Sequence, residues 1–157
     1  MKFSTSSIAA GLGALTLSFC LGAQAQERGS KQEAVALADA ATSHVKQVGA
    51  ERAFKDFTHD KVRWVRKDLY VAVTDLEGKV LAHGGNDKLV GKHMMAVRDA
   101  KGFAFMARMI EVAKSQPGEG WVDYEWANPQ TKRIEGKSSL VSLLPDGKSV
   151  LSVGYYR

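Results

Sequence analysis

Two neighbouring stretches hold most of the side chains with chemistry to offer. The segment GWVDYEWANP, residues 120–129, contains two of the chain's three tryptophans and one of its four tyrosines, and Asn128-Pro129 stops it. The segment IEGKSSLVSLL that follows carries Lys137. Strand side chains alternate between faces, so Val122, Tyr124 and Trp126 point one way and Trp121, Asp123 and Glu125 the other. On the second strand Lys137, Ser139, Val141 and Leu143 share a face. A hairpin joining the two brings Lys137 near Tyr124 or Trp126. An ammonium beside a phenol and an indole N–H forms a compact anion site: three donors converge on a carboxylate, and the rings keep water out.

Two further residues are candidates for the same place. His83 ends a short strand just where a long loop opens, and could donate to a ligand carboxylate. Tyr70 alternates with Leu69 and Val71 and could reach the face of Tyr124. Plainer readings stand beside these. Tyr124 and Trp126 suit ordinary core packing, Lys137 on composition alone belongs in solvent, and His83 suits a structural hydrogen bond. Asn86 reads as a turn residue and Asp99 as a helix cap. Met94, Met95, Phe103, Phe105, Met106 and Met109 suit either an adaptable apolar lid or core.

Catalytic patterns are missing. Histidines 44, 59, 83 and 93 fall in different elements without metal-ligand spacing. There is no HExxH, no nucleophile elbow and no close carboxylate pair. Ser139 shares a face with Lys137, but no oxyanion-forming glycine turn accompanies them. The expectation is a binding protein, not an enzyme, with no metal and no cofactor.

The elements that position these residues follow from periodicity. Residues 31–48 lack Gly and Pro, and Val35, Leu37/Ala38, Ala41, Val45 and Val48 recur at helical spacing, with Gly49 as the stop. A shorter helix, AERAFKDF, follows. LYVAV and VLAH, joined by Leu76-Glu77-Gly78-Lys79, make a β-hairpin. Residues 84–98 read as a structured loop with one short helical turn. A helix is expected over 99–115, capped by Asp99, with Phe103, Met106, Ile110 and Ala113 on its buried face and Pro117-Gly118 after it. Three strands complete the chain, the last two joined at Pro145-Asp146-Gly147-Lys148. The predicted fold is α+β: a five-stranded antiparallel sheet, a long N-terminal helix on one face, and the crossover of residues 84–118 on the other.

The chain opens MKFSTSSIAAGLGALTLSFCLGAQAQE, with one lysine, an apolar run from Ile8 to Gly22 and then Ala23-Gln24-Ala25. That layout predicts a secretory signal peptide, residues 1–25, cleaved after Ala25. The run is short and glycine-punctuated for a membrane-spanning helix. The expected mature unit, residues 26–157, is a single domain in the periplasm. Cys20 is the only cysteine, so that unit has no thiol chemistry and no disulfide. Lysines and arginines are scattered, and a net charge of +5 reads as a solvated surface, with no nucleic acid partner.

The ordered motifs are Asp68-Leu69-Tyr70-Val71, Asp75-x-x-Gly78-Lys79-Val80-Leu81-Ala82-His83, Asn86-x-x-Leu89-Val90-Gly91-Lys92 and Asp99-Ala100-Lys101-Gly102. They continue with Gly120-Trp121-Val122-Asp123-Tyr124-x-Trp126-x-Asn128-Pro129, Lys137-Ser138-Ser139-x-Val141 and Val153-Gly154-Tyr155-Tyr156. As a set, from about Lys31 to the end, they resemble the single Cache domain family (type 2), extracellular relatives of PAS domains. The resemblance implies a small molecule held between the sheet and the loop after the first hairpin. It thereby favours Tyr124, Trp126, Lys137, His83 and Tyr70 as ligand-binding residues. It implies a periplasmic sensing module for a short organic carboxylate, passing its signal to a separate membrane receptor or transporter, with homodimer formation through the N-terminal helix open. The alternatives are a PAS-like haem holder using His83 or His93, and a docking protein with no small ligand. Relatives often carry a proline after the His; Gly84-Gly85 here implies a more mobile loop.

Overall fold

The structure is a computed structural model that describes residues 27–157. The expected signal peptide lies outside the described residues. Helix α1 (Lys31–Val48) starts at a capping box: Ser30 Oγ accepts from the Glu33 N–H at 3.2 Å, and the Glu33 carboxylate accepts from the Ser30 N–H at 2.7 Å. Its buried stripe is Ala34, Leu37, Ala38, Ala41, His44 and Val45. Val35 and Val48, expected on that stripe, are exposed. Val35 is one residue off the 34–38–41–45 line, and Val48 lies in the last turn.

Helix α2 (Ala50–His59) follows directly, then a single helical turn α3 (Lys61–Trp64) and a two-residue strand β1 (Val65–Arg66). The hairpin is β2 (Leu69–Asp75) and β3 (Val80–His83). Gly78 at φ 80° supplies the left-handed step between its strands. Beyond the 3-10 turn Asp87–Leu89 comes α4 (Phe105–Lys114), and then β4 (Glu119–Ala127), β5 (Ile134–Leu143) and β6 (Ser149–Tyr156). All pairings are antiparallel, in the order β1-β2-β6-β5-β4, with β3 also on β2. The five expected strands are all present, and β1 adds a sixth too short for periodicity to reveal.

The expected helix over 99–115 is shorter. Asp99 does not cap it: its carboxylate accepts from the N–H groups of Lys101 and Phe103 and closes a turn. The same carboxylate accepts from the Glu125 N–H at 3.1 Å, tying the loop to β4. Phe103, placed before the helix, is 40% exposed, whereas Met106, Ile110 and Ala113 are buried as expected.

The sheet separates two apolar clusters. Leu37, Ala41 and Phe57 meet Val71, Leu140, Leu151 and Val153 on one face. Met106, Met109 and Ile110 meet Val122, Tyr124 and Val141 on the other. Trp121 packs with the first cluster and Trp126 with the second, as strand alternation requires. Among the described residues no helix is long and apolar enough to cross a membrane. Phe57 is fully buried and meets Trp64 edge-on at 4.7 Å. Phe57→Ala is expected to cost about 3–5 kcal/mol, read as a lower urea midpoint.

Candidate functional site

Strand pairing does most of the assembly. Lys137, in the first half of β5, is opposite Tyr124 on β4 and Tyr156 on β6, so two tyrosines flank it on the α4 face. Its stem runs over Gly154, where an added Cβ would stand 2.5 Å from Lys137 Cε and collide with Ser139 Oγ. A glycine inside a strand commonly marks such an approach. The side chain is 2% exposed. Its Nζ lies 3.8 Å from the centre of the Tyr70 ring and 4.8 Å from that of Tyr156. Among the described residues no carboxylate stands within ion-pair distance of it and no hydrogen-bond acceptor meets it. The ring faces return part of the lost hydration.

Burial lowers the Lys137 pKa to about 7, and the charge of buried Asp68 opposes the shift. Asp68 is fully buried. Its carboxylate accepts from the Gly29 N–H at 2.7 Å and from Asn128 Nδ2 at 3.2 Å.

Tyr70 is fixed on several sides. His83 lies against it with ring centres 4.8 Å apart, and its hydroxyl is 3.4 Å from that of Tyr156, which donates to the Ala127 carbonyl at 2.8 Å. A Cβ at Gly85 would reach the Tyr70 ring at 2.8 Å. The Gly84 carbonyl accepts from Lys61 Nζ at 2.6 Å, and its N–H donates to Val71. The expectation of a loosened Gly84-Gly85 loop is therefore corrected: these glycines seat the loop against the tyrosine.

His83 has a defined tautomer. The Asn86 N–H donates to its Nδ1 at 2.9 Å, so that nitrogen carries a lone pair and the proton sits on Nε2. Burial, with the nearby charges of Lys137 and Lys61, lowers its pKa to about 3. It is a neutral donor at physiological pH. Tyr124 hydrogen-bonds Ser139 Oγ at 3.1 Å and stacks on Phe105 at 4.8 Å. The phenols of Tyr70, Tyr124 and Tyr156 are all pushed upward, chiefly by burial, and stay protonated.

Tyr70, His83, Tyr124, Trp126 and Lys137, the five residues singled out from sequence, line one cavity of about 40 Å³. The hairpin register sets Lys137 opposite Tyr124, while its ammonium lies over the rings of Tyr70 and Tyr156 and the Tyr124 phenol hydrogen-bonds Ser139. Phe105, Met94, Met106 and Met109 close the helix side, while Met95 and Phe103 of the expected lid are exposed. The space is too small for a porphyrin, and His93 is exposed on the surface. Sequence reasoning missed Tyr156, Gly154 and Asp68; a glycine between Val153 and Tyr155 in a strand was the available signal.

Past Tyr70, His83, Leu89 and Trp126 lies an outer chamber of about 390 Å³, with Asn86, Asn128 and Lys132 on its walls. Neither chamber has an Asp or Glu in its lining among the described residues. The inner cavity offers one cation, Lys137, and several neutral donors to an anion.

A family model described as Single Cache domain 2 matches residues 16–157. The solved structures similar to this chain include the following three. A methyl-accepting chemotaxis protein from Vibrio parahaemolyticus RIMD 2210633 superposes with TM-score 0.69 at 21% identity, covering 80% of this chain and 87% of that one. The periplasmic sensor domain of a chemotaxis protein gives 0.61 at 25% identity, covering 80% and 88%. A Cache chemosensory domain described for carboxylic acid recognition gives 0.62 at 25% identity, covering 80% and 86%. No curated protein matches the chain.

Lys137 should leave a pH signature on stability. Its pKa is about 7 folded against 10.5 for the free side chain, so between those values the unfolded chain binds more protons and stability rises with pH. Below pH 7 the penalty is fully present. Lys137→Met is expected to be more stable than the parent at pH 6–7, by an amount on the order of a few kcal/mol. The gap should close toward pH 10, measured by urea unfolding at several pH values.

Proposed function

As the chain belongs to the Single Cache domain 2 family, we propose that it is a ligand-sensing module whose inner cavity takes a short organic carboxylate. The supporting observation is a buried ammonium without a counterion, facing a cavity walled by tyrosine, tryptophan and a neutral histidine donor. A carboxylate entering there supplies the missing charge and accepts from Lys137 and His83 Nε2. The cavity of about 40 Å³ limits the buried part to a few heavy atoms, since one water needs roughly 10–15 Å³. With no acid in the lining, ammonium-bearing ligands such as amino acids and polyamines are disfavoured. The similar domain described for carboxylic acid recognition supports the same class of ligand.

The residues assigned to binding are Lys137, His83, Tyr70, Tyr124 and Trp126, with Tyr156 holding the lysine. The role proposed is binding: among the described residues Ser139 Oγ in the cavity wall is hydrogen-bonded to Tyr124, and no hydrogen bond links it to Lys137. The location proposed is the periplasm, after removal of residues 1–25, and the signal passes to a separate membrane receptor or transporter.

Acetate and propionate are expected to raise the melting temperature, whereas glycine and putrescine leave it unmoved. Lys137→Ala should remove the response while remaining folded by circular dichroism. Carboxylate binding needs the protonated lysine, so affinity should be flat below pH 7 and weaken about tenfold per unit above it. Calorimetry in buffers of different ionisation enthalpy would register the proton taken up. An anion response unchanged in Lys137→Ala would remove the assignment.

A further inference from the structure

Lys137 is a nucleophile as well as a cation. A buried lysine keeps its charge when a carboxylate stands beside it, and among the described residues none pairs with this one. Its stem is fixed in the slot over Gly154, and its Nζ rests on the ring faces of Tyr70 and Tyr156 at 3.8 and 4.8 Å. Those faces attract a cation but take no proton from it. The residue is buried yet lines the inner cavity, beside the apolar side chains of Phe105, Met106, Met109 and Val150. Desolvation brings release of the ammonium proton to about pH 7, so a free amine with its lone pair is present at neutral pH. A lysine desolvated in an apolar pocket is in the form that attacks carbonyl carbon. His83 lines the same cavity and, with Nδ1 accepting from the Asn86 N–H, carries its proton on Nε2. That N–H is a neutral donor for a carbonyl oxygen.

We propose that Lys137 is a covalent capture site for a small uncharged aldehyde, which the inner cavity holds as an imine. The inference uses the uncharged form of the side chain and does not rest on the carboxylate reading. The amine lone pair forms a bond to the carbonyl carbon, and the C=O π pair moves to oxygen. The nitrogen gives up one proton and the oxygen gains one, leaving a neutral carbinolamine. Its hydroxyl and the remaining N–H proton then depart together as one water, and the nitrogen pair closes the C=N bond. No oxidant or reductant is consumed, and water reverses the sequence and releases the aldehyde. The imine is uncharged, so its formation removes the cost of keeping an ammonium out of water. A cavity of about 40 Å³ takes only a few heavy atoms, which fits acetaldehyde and excludes an aromatic aldehyde.

Limiting acetaldehyde with cyanoborohydride traps the imine as an ethylamine, which peptide mass mapping assigns to one lysine or another and separates from the chain's α-amine. At pH 7 about half of Lys137 is free amine, against roughly one part in three thousand of a lysine at the ordinary 10.5. Ethylation of the native protein is therefore expected to run about tenfold or more faster at Lys137 than at any other lysine. The lead should vanish in urea, a control on the parent chain that needs no variant to fold. Lys137→Met should lose the leading adduct and keep the slow ones, and benzaldehyde should label surface lysines without reaching Lys137. Ethylation spread evenly over the lysines, Lys137 left unmodified, a lead that survives unfolding, or benzaldehyde at Lys137 would overturn the proposal. Carboxylate binding is decided separately, by the melting-temperature response of Lys137→Ala, so the two readings fail independently.

Discussion

Withdrawing a lysine from water without giving it a counterion is the constraint around which this face of the sheet is arranged. An ammonium in such a place loses its hydration, and every neighbour of Lys137 answers that loss or makes room for it. Tyr70 and Tyr156 offer ring faces, Gly154 clears the path of the stem, and Asp68 contributes attraction from a distance. The two apolar clusters on either side of the sheet supply the stability that lets such a residue persist. A stable but unsatisfied charge is a poor structural device and a good receptor, because the missing partner can arrive from outside.

The site also has a consistent protonation pattern. His83 is neutral with its proton on Nε2, and the three phenols keep theirs, so the only positive charge that can come and go is the one on Lys137. Asn128 connects this region to the rest of the molecule. Through Asp68 and Glu135 it joins the segment before α1 to the start of β5, and Arg28 adds an ion pair to Glu135 at 3.0 Å and a bond to the Arg157 carbonyl. The strand carrying Lys137 is therefore clamped at its near end by residues from both ends of the described chain.

Much of this was legible in the sequence, for reasons that differ by residue. The α1 boundaries came from an uninterrupted helical period, and the shared faces of Tyr124 with Trp126 and of Lys137 with Ser139 from strand alternation, which is local; that Lys137 turns inward was implied only by the family resemblance. What could not be read is register. Whether Lys137 meets Tyr124 depends on how β4 slides against β5, and whether it meets Tyr156 on how β6 does, and no pattern within one strand encodes either. Tyr156 was missed for this reason. Asp99 misled because a carboxylate that closes a turn and one that starts a helix have the same local signature; the helix instead begins where Phe105 can stack on Tyr124. Gly84-Gly85 looked like slack because sequence does not display the tyrosine ring lying against it.

The slot over Gly154 has an evolutionary corollary. Position 154 can accept a side chain only after the long side chain at 137 and the hydroxyl of Ser139 have both given way, whereas position 137 can shorten at any time while 154 stays glycine. Change at this pair is therefore ordered. A lineage abandoning the buried ammonium would lose the lysine first and fill the space at 154 only once Ser139 had also turned away or been replaced. Once the space is filled, return to lysine is blocked until the filling residue is removed. Among homologous sequences, lysine at 137 should accompany glycine at 154, while glycine at 154 without the lysine marks lineages in transit.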